Sequence, residues 1–189
     1  MPLANGRYPA KNREWLLAGM PSGVYRESMS RALAGSDLAA LTTQVMTSVA
    51  IPLQAGDVVT NLTFKSGATA AGTPTNWWFA LYDDSATPAL LAQSADQLTA
   101  AWAAATAKTL ALATPQLISR SGIYYASVMV KATTVPTLIG ASAQAGASSG
   151  LLSTDKVLAQ TSGSALTTTA PATIATPTAV GTVPIAVAS

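Results

Sequence analysis

Asp83 and Asp84 are the first residues in this chain whose type and spacing could do chemistry. Side by side at the end of an aromatic run, they could hold a hard cation such as Ca²⁺, with backbone carbonyls completing the shell and Asp57, Asp96 and Asp155 converging from other loops. Asp is equally at home in turns, where its side chain bonds nearby backbone NH groups. That is the reading adopted, and no metal is expected. A glycosidase pair needs two acids facing each other across a cleft, which spacing alone does not show. Residues 146–150, GASSG, match the G-x-S-x-G nucleophile elbow at Ser148. The elbow also needs a buried strand before it, a helix after it and a histidine base. The approach here is Ala/Ser-rich and the chain has no His, so the match is read as chance.

The absences are as informative as the motifs. Without Cys there are no disulfides, thiolate metal sites or Cys nucleophiles. Without His the commonest general base and transition-metal ligand are gone. No enzyme and no cofactor are expected; a carboxylate-only hydrolase is the enzymatic reading left open. Trp77, Trp78, Trp102, Tyr124 and Tyr125 could stack on sugars, but their apolar, alternating contexts assign them to a core. Asn61-Leu62-Thr63 matches a glycosylation acceptor, which has meaning only in a secreted chain.

The elements that would position these residues read as strands. In residues 76–84, NWWFALYDD, Trp77, Phe79 and Leu81 point one way and Trp78, Ala80 and Tyr82 the other. Both faces are apolar, which predicts a strand covered on both sides, with Gly72 and Pro74 before it and Pro88 after it as breakers. Residues 41–53 alternate Val45, Thr47, Val49 and Ile51 with Met46, Ser48 and Ala50. Residues 54–57 read as a turn. The next strand places Val58, Thr60, Leu62 and Phe64 inside and Val59, Asn61, Thr63 and Lys65 toward solvent. Residues 68–75 read as a loop and 89–93 as a short strand. Residues 94–106 are Ala-rich and helical by propensity, but are read as a loop that plugs Trp102 into the core or an interface. Residues 107–115 alternate around Leu110 and Leu112. In residues 121–132, Ile123, Tyr125, Ser127 and Met129 face one side and Tyr124, Ala126, Val128 and Val130 the other. Beyond Ala132 only Asp155 and Lys156 are charged, with strand-like runs at 137–141, 156–160 and 182–188. Short strands at intervals of about 8–12 residues predict an all-β antiparallel sandwich over residues 37–189 rather than βαβ units.

Residues 1–36 read as an extended N-terminal docking arm with one short helical piece at 11–20; residues 24–35 fit either a strand or a short helix. Net charge is +3 over residues 1–31 and −1 over the rest. The basic groups are spaced out rather than run together, so a protein partner is expected rather than nucleic acid. Trp15, Leu16, Leu17 and Tyr25 cannot make a core of their own on so short a segment. Together with Arg7, Tyr8, Lys11 and Arg13 they are the candidate docking residues. The chain is 10% charged against a usual value of about 25%. That, with a surface rich in Ala, Thr and Ser, suits extensive contact between subunits. No apolar run reaches the roughly 18–20 residues of a membrane span, and the polar, basic N-terminus lacks the apolar core of a secretory signal. Neither a membrane partner nor secretion is expected; synthesis is assigned to the cytoplasm.

The succession AIPLQAGDVVTNLTF, GTPTNWWFALYD, LLAQSADQ, KTLALATP and SGIYYASVMV resembles a jelly-roll domain of virion proteins of tailed bacteriophages, especially phages of high-GC actinobacteria. The resemblance covers about residues 49–137 and rests on spacing and phrasing. It implies a jelly-roll-like sandwich, no cofactor, and a structural role in the virion as a capsid decoration, head-fibre or minor tail protein. The expectation that follows is a homo-oligomer, specifically a trimer, docked by its arm on the major capsid protein or another shell protein. The alternative is a minor tail protein or a carbohydrate- or receptor-binding module at the tail tip.

Overall fold

The structure, a computed structural model, describes residues 25–142, 150, 152 and 154–189. Three antiparallel pairs nest inside one another. β3 (Met46–Leu53) pairs with β8 (Gly122–Thr134), β4 (Val58–Lys65) with β7 (Ala107–Leu117), and β5 (Gly72–Tyr82) with β6 (Leu90–Gln93). β8 also pairs with β5, so β3, β8, β5 and β6 lie side by side in one sheet while β4 and β7 lie in the other. A long antiparallel ribbon folded over on itself in this way is the winding of a jelly roll, here with three nested pairs.

Short strands extend both sheets. β10 (Ala159–Ser162) and β11 (Thr178–Ala179) continue the larger sheet beyond β3, giving the order β11-β10-β3-β8-β5-β6. β13 (Ala186–Ala188) and β1 (Arg26–Glu27) continue the smaller one, in the order β1-β13-β4-β7. β9 (Ile139–Ser142) stands between β12 (Thr182–Pro184) and β2 (Ser36–Asp37) in a third, three-stranded sheet. Thus Arg26, Glu27 and Ser36, from the segment expected to be arm, are paired into these sheets.

β5 is central, and its two faces go where period two sends them. Trp77, Phe79 and Leu81 join Val49, Ile51, Leu62, Phe64 and Val128 between the two main sheets. Trp78, Ala80 and Tyr82 face outward with Met46, Tyr125 and Met129, and that second face is covered too. Its cover is a strap, residues 164–177, which packs Ala170 and Ile174 onto the sheet. The strap has little regular structure, so its backbone polar groups need other partners. Side chains supply them. Trp78 Nε1 donates to the Thr167 carbonyl at 2.8 Å, Tyr82 Oη to the Pro171 carbonyl at 2.8 Å, and Gln93 Nε2 to the Thr168 carbonyl at 2.8 Å. Gln93 Oε1 accepts from Ala170 N at 2.5 Å. Burial pushes the phenol of Tyr125 up to about 12, and that of Tyr82 upward as well.

The Ala-rich stretch 94–106 contains no helix, because tertiary contacts outweigh its propensity. Trp102 is fully buried, stacked on Trp77 with centroids 5.1 Å apart. Phe79 meets the Trp102 ring edge-on, and Phe64 in turn packs on Phe79 with centroids 4.8 Å apart. These four rings join β4, β5 and the 94–106 loop.

Two expectations need correction. The inward residues of β4 change phase: Val58 is 43% exposed, whereas Val59 is fully buried. The register slips between Val59 and Asn61, and the NH groups of Thr60 and Asn61 both donate to the Ser189 carbonyl, each at 2.7 Å. The extra residue of this bulge reverses the alternation before Leu62 and Phe64 resume it. β5 also begins at Gly72, four residues earlier than expected, with a register shift between Pro74 and Asn76.

Gly140 on β9 marks the closest approach in the three-stranded sheet. A Cβ there would lie 2.1 Å from the Val183 carbonyl oxygen and 2.8 Å from both Leu38 Cδ1 and Pro184 Cα. Gly140→Ala is therefore expected to force the backbones apart at a cost of about 1–3 kcal/mol. Urea unfolding of the variant beside the parent checks this.

Candidate functional site

The segment that opens the described residues, from Tyr25 to the 3-10 turn, is held on the sandwich through β1 and β13. β1 pairs Arg26 with Ala188 and Glu27 with Val187. Ser28 continues the pairing through its backbone NH to the Ala186 carbonyl at 2.9 Å, while its hydroxyl accepts from Ala186 N at 2.9 Å. Arg26 then forks onto Asp57, Nε to Oδ2 at 2.8 Å and Nη2 to Oδ1 at 2.7 Å. Asp57 is buried at the β3–β4 turn and also accepts from Gln54 N at 2.9 Å. A two-residue strand is weak alone; the planar bidentate pair fixes it to the sandwich.

Tyr25 sits just before β1, and a 3-10 turn (Arg31–Leu33) just after it brings Arg31 back over the Tyr25 ring, 5.2 Å from its centroid. Tyr25 Oη donates to Glu27 Oε1 at 3.0 Å, Arg31 Nε donates to the same oxygen at 2.6 Å, and Arg31 Nη2 donates to Tyr25 Oη. Burial and the Glu27 hydrogen bond raise the Tyr25 phenol above its ordinary value, against the pull of Arg31. Beside this cluster runs a groove of about 400 Å³. Half-buried Ile139, Ile185 and Val187 give it an apolar lining; Tyr25 and Arg31 border it, as does the exposed Lys65.

Of the candidate docking residues, Tyr25 lies beside β1. Arg7, Tyr8, Lys11, Arg13, Trp15, Leu16 and Leu17 lie outside the described residues, as does Ser148 of the GASSG motif. The five aromatic residues considered for sugar stacking, Trp77, Trp78, Trp102, Tyr124 and Tyr125, are all buried.

The carboxylates are distributed among separate structural tasks, and among the described residues no three of His, Cys, Asp or Glu cluster. Asp83 Oδ1 accepts from Ser85 N, Ser85 Oγ and Ala89 N, closing the turn after β5. Asp96 accepts from Trp77 N at 2.9 Å and Asn76 Nδ2 at 2.6 Å, tying down the edge of β5. Asp84 is gripped by Arg120, Nη2 to Oδ1 at 2.7 Å and Nε to Oδ2 at 3.0 Å.

The Arg120 hydrogen bonds hold the Asp84 carboxyl below its ordinary value. For Asp83, burial pushes upward but the Ser85 and Ala89 hydrogen bonds prevail and lower it. A carboxylate whose folded value is depressed contributes stability above its unfolded value and loses it as pH falls through the folded one. Stability should accordingly decline from about pH 4 downward. Asp84→Asn should flatten that decline modestly, because Arg120 is solvent-exposed and the pair is screened. Urea midpoints measured between pH 5 and pH 2 on both proteins test this.

A scan against protein-family models finds no matching family, and a search of curated proteins finds no match. Apart from Tyr25, the groove residues were not singled out from sequence. They come from positions 25–34, 63–65, 107, 139 and 185–187, brought together by the pairing of β1, β13, β4 and β7 and by β9, so no local spacing carries the signal.

Proposed function

We propose that the chain is a structural protein of a tailed-phage virion: a capsid decoration subunit of the cement or head-fibre type, homotrimeric, made in the host cytoplasm. It docks on the major capsid protein or another shell protein through the arm that leaves the sandwich at Tyr25. The observation that carries this reading is the nested pairing β3·β8, β4·β7 and β5·β6. It falls within the stretch whose phrasing resembles the virion jelly rolls, and it is the winding that such a resemblance implies. The buried aromatics support a scaffold role for the sandwich, and the firmly anchored root suits a domain held through its arm. Burying Trp15, Leu16 and Leu17 in a partner would contribute about 1.5–3 kcal/mol each before ordering costs.

The deletion that tests this reading ends at residue 24, because Arg26 and Glu27 belong to the sandwich. The chain lacking residues 1–24 is expected to fold with an unchanged circular dichroism spectrum and to fall at least tenfold in particle incorporation. Normal incorporation of the truncated chain would remove the docking arm from the account. Binding of the sandwich alone to a host glycan would favour the tail-tip alternative.

A further inference from the structure

We propose that the chain associates with itself head to tail: Leu98 of one copy enters the groove of about 400 Å³ on the next, bringing Asp96 to Lys65 at its rim. Leu98 is 55% exposed, and among the exposed large apolar side chains of the described residues it alone has a positive φ, at 50°. That backbone is unfavourable for a branched side chain and persists only where the surroundings impose it. Here they do. Leu98 N donates to Asp96 Oδ1 at 3.2 Å, Gln97 N to the Trp77 carbonyl at 2.9 Å, and Ala100 N to the Gln97 carbonyl at 2.9 Å. Beyond Leu98, Trp77 Nε1 donates to the Ala100 carbonyl at 2.9 Å. The loop is thus tied to buried Trp77 on both sides of Leu98. It presents the side chain already ordered, which is what an interface anchor needs.

The groove supplies the complementary half. Half-buried Ile139, Ile185 and Val187 make it apolar, and its size falls within the roughly 300–1,000 Å³ of binding pockets. At the rim, exposed Lys65 pairs with no carboxylate among the described residues. Asp96 accepts from Trp77 N, Leu98 N and Asn76 Nδ2, and has no cationic partner among the described residues. An apolar side chain flanked by an anion therefore meets an apolar groove flanked by a cation. The bonds that fix the loop hold Leu98 between β6 and β7, the edge strands of the two main sheets, whereas the groove lies over β4 and β13 beside β9. The occupant is accordingly the Leu98 of a second copy. Because two different patches meet, the contact builds a ring or a filament rather than a twofold dimer. It rests on the loop and the groove, not on the virion reading.

Analytical ultracentrifugation of the full chain, from dilute to concentrated solution, tests this, with circular dichroism to check the fold of each variant. The parent is expected to pass from monomer to larger species as concentration rises. Leu98→Gly suits the positive φ, so it should fold at least as stably as the parent yet weaken association about tenfold or more. Ala107→Glu, at an exposed groove position, sets a carboxylate opposite its cross-strand neighbour Lys65 and should weaken association similarly. Mixed together, the two variants should form a dimer that neither forms alone, because the intact loop of one still meets the intact groove of the other. A parent chain that stays monomeric throughout would overturn the proposal. So would a folded Leu98→Gly chain that associates as the parent does, or a mixture no heavier than its components.

Discussion

Replacing Trp102 with alanine is expected to destabilise the sandwich by about 3–5 kcal/mol. The side chain is fully buried, stacked on Trp77 and met edge-on by Phe79, so its removal leaves a cavity between the two main sheets. Aromatic pairs add about 0.5–1.5 kcal/mol each beyond area burial, and two are lost. The indole NH, which donates to the Thr106 carbonyl at 3.0 Å, disappears as well and leaves that acceptor without it. Against a usual total of about 5–15 kcal/mol, the loss is a large share. At roughly 2–4 °C per kcal/mol for a chain of this size, the melting temperature should fall on the order of 10 °C. Calorimetry and urea titration measure this. A loss under 1 kcal/mol would mean that Trp102 is a surface residue and that the central packing is misassigned.

Trp78→Ala should cost a similar amount, about 3–5 kcal/mol, with a different signature. Trp78 lies on the opposite face of β5, buried beneath the strap, and holds the Thr167 carbonyl at 2.8 Å. The substitution removes the ring on which the strap packs and one of the bonds that satisfy its backbone. Hydrogen exchange should therefore rise selectively in residues 164–177, ahead of global unfolding, whereas Trp102→Ala should leave the strap no more open than the rest. Trp78→Phe separates the two contributions. It keeps most of the apolar contact and loses the NH donor, and should cost closer to 1–2 kcal/mol. Equal exchange in the strap and the core of Trp78→Ala would contradict the strap's dependence on this residue.

What the residues foretold, and what they did not, follows from where the deciding interactions lie. The two apolar faces of residues 77–82 were legible because period two sorts adjacent side chains without help from the rest of the chain. Trp102 was legible because a lone large aromatic among Ala and Thr must be buried by something distant. The phase of β4 was not, because its bulge depends on the Ser189 carbonyl at the far end of the sequence, 129 residues from Thr60. The strap was hidden for a related reason. A stretch rich in Thr, Ala and Pro has no periodicity, and its attachment uses its own carbonyls with Trp78 and Tyr82 as donors. The segment around β1 was half legible: Tyr25 stood out, but the Arg26–Asp57 fork and the groove depend on pairing between β1 and β13.

The most direct test of the proposed virion reading is a cryo-EM reconstruction of purified particles of a tailed phage whose genome encodes the chain. The account predicts a jelly-roll density in symmetric, threefold copies, standing off the shell, with residues 1–24 as the connection. Particles that lack the chain, or a sandwich that meets the shell through its sheets while residues 1–24 touch nothing there, would contradict it.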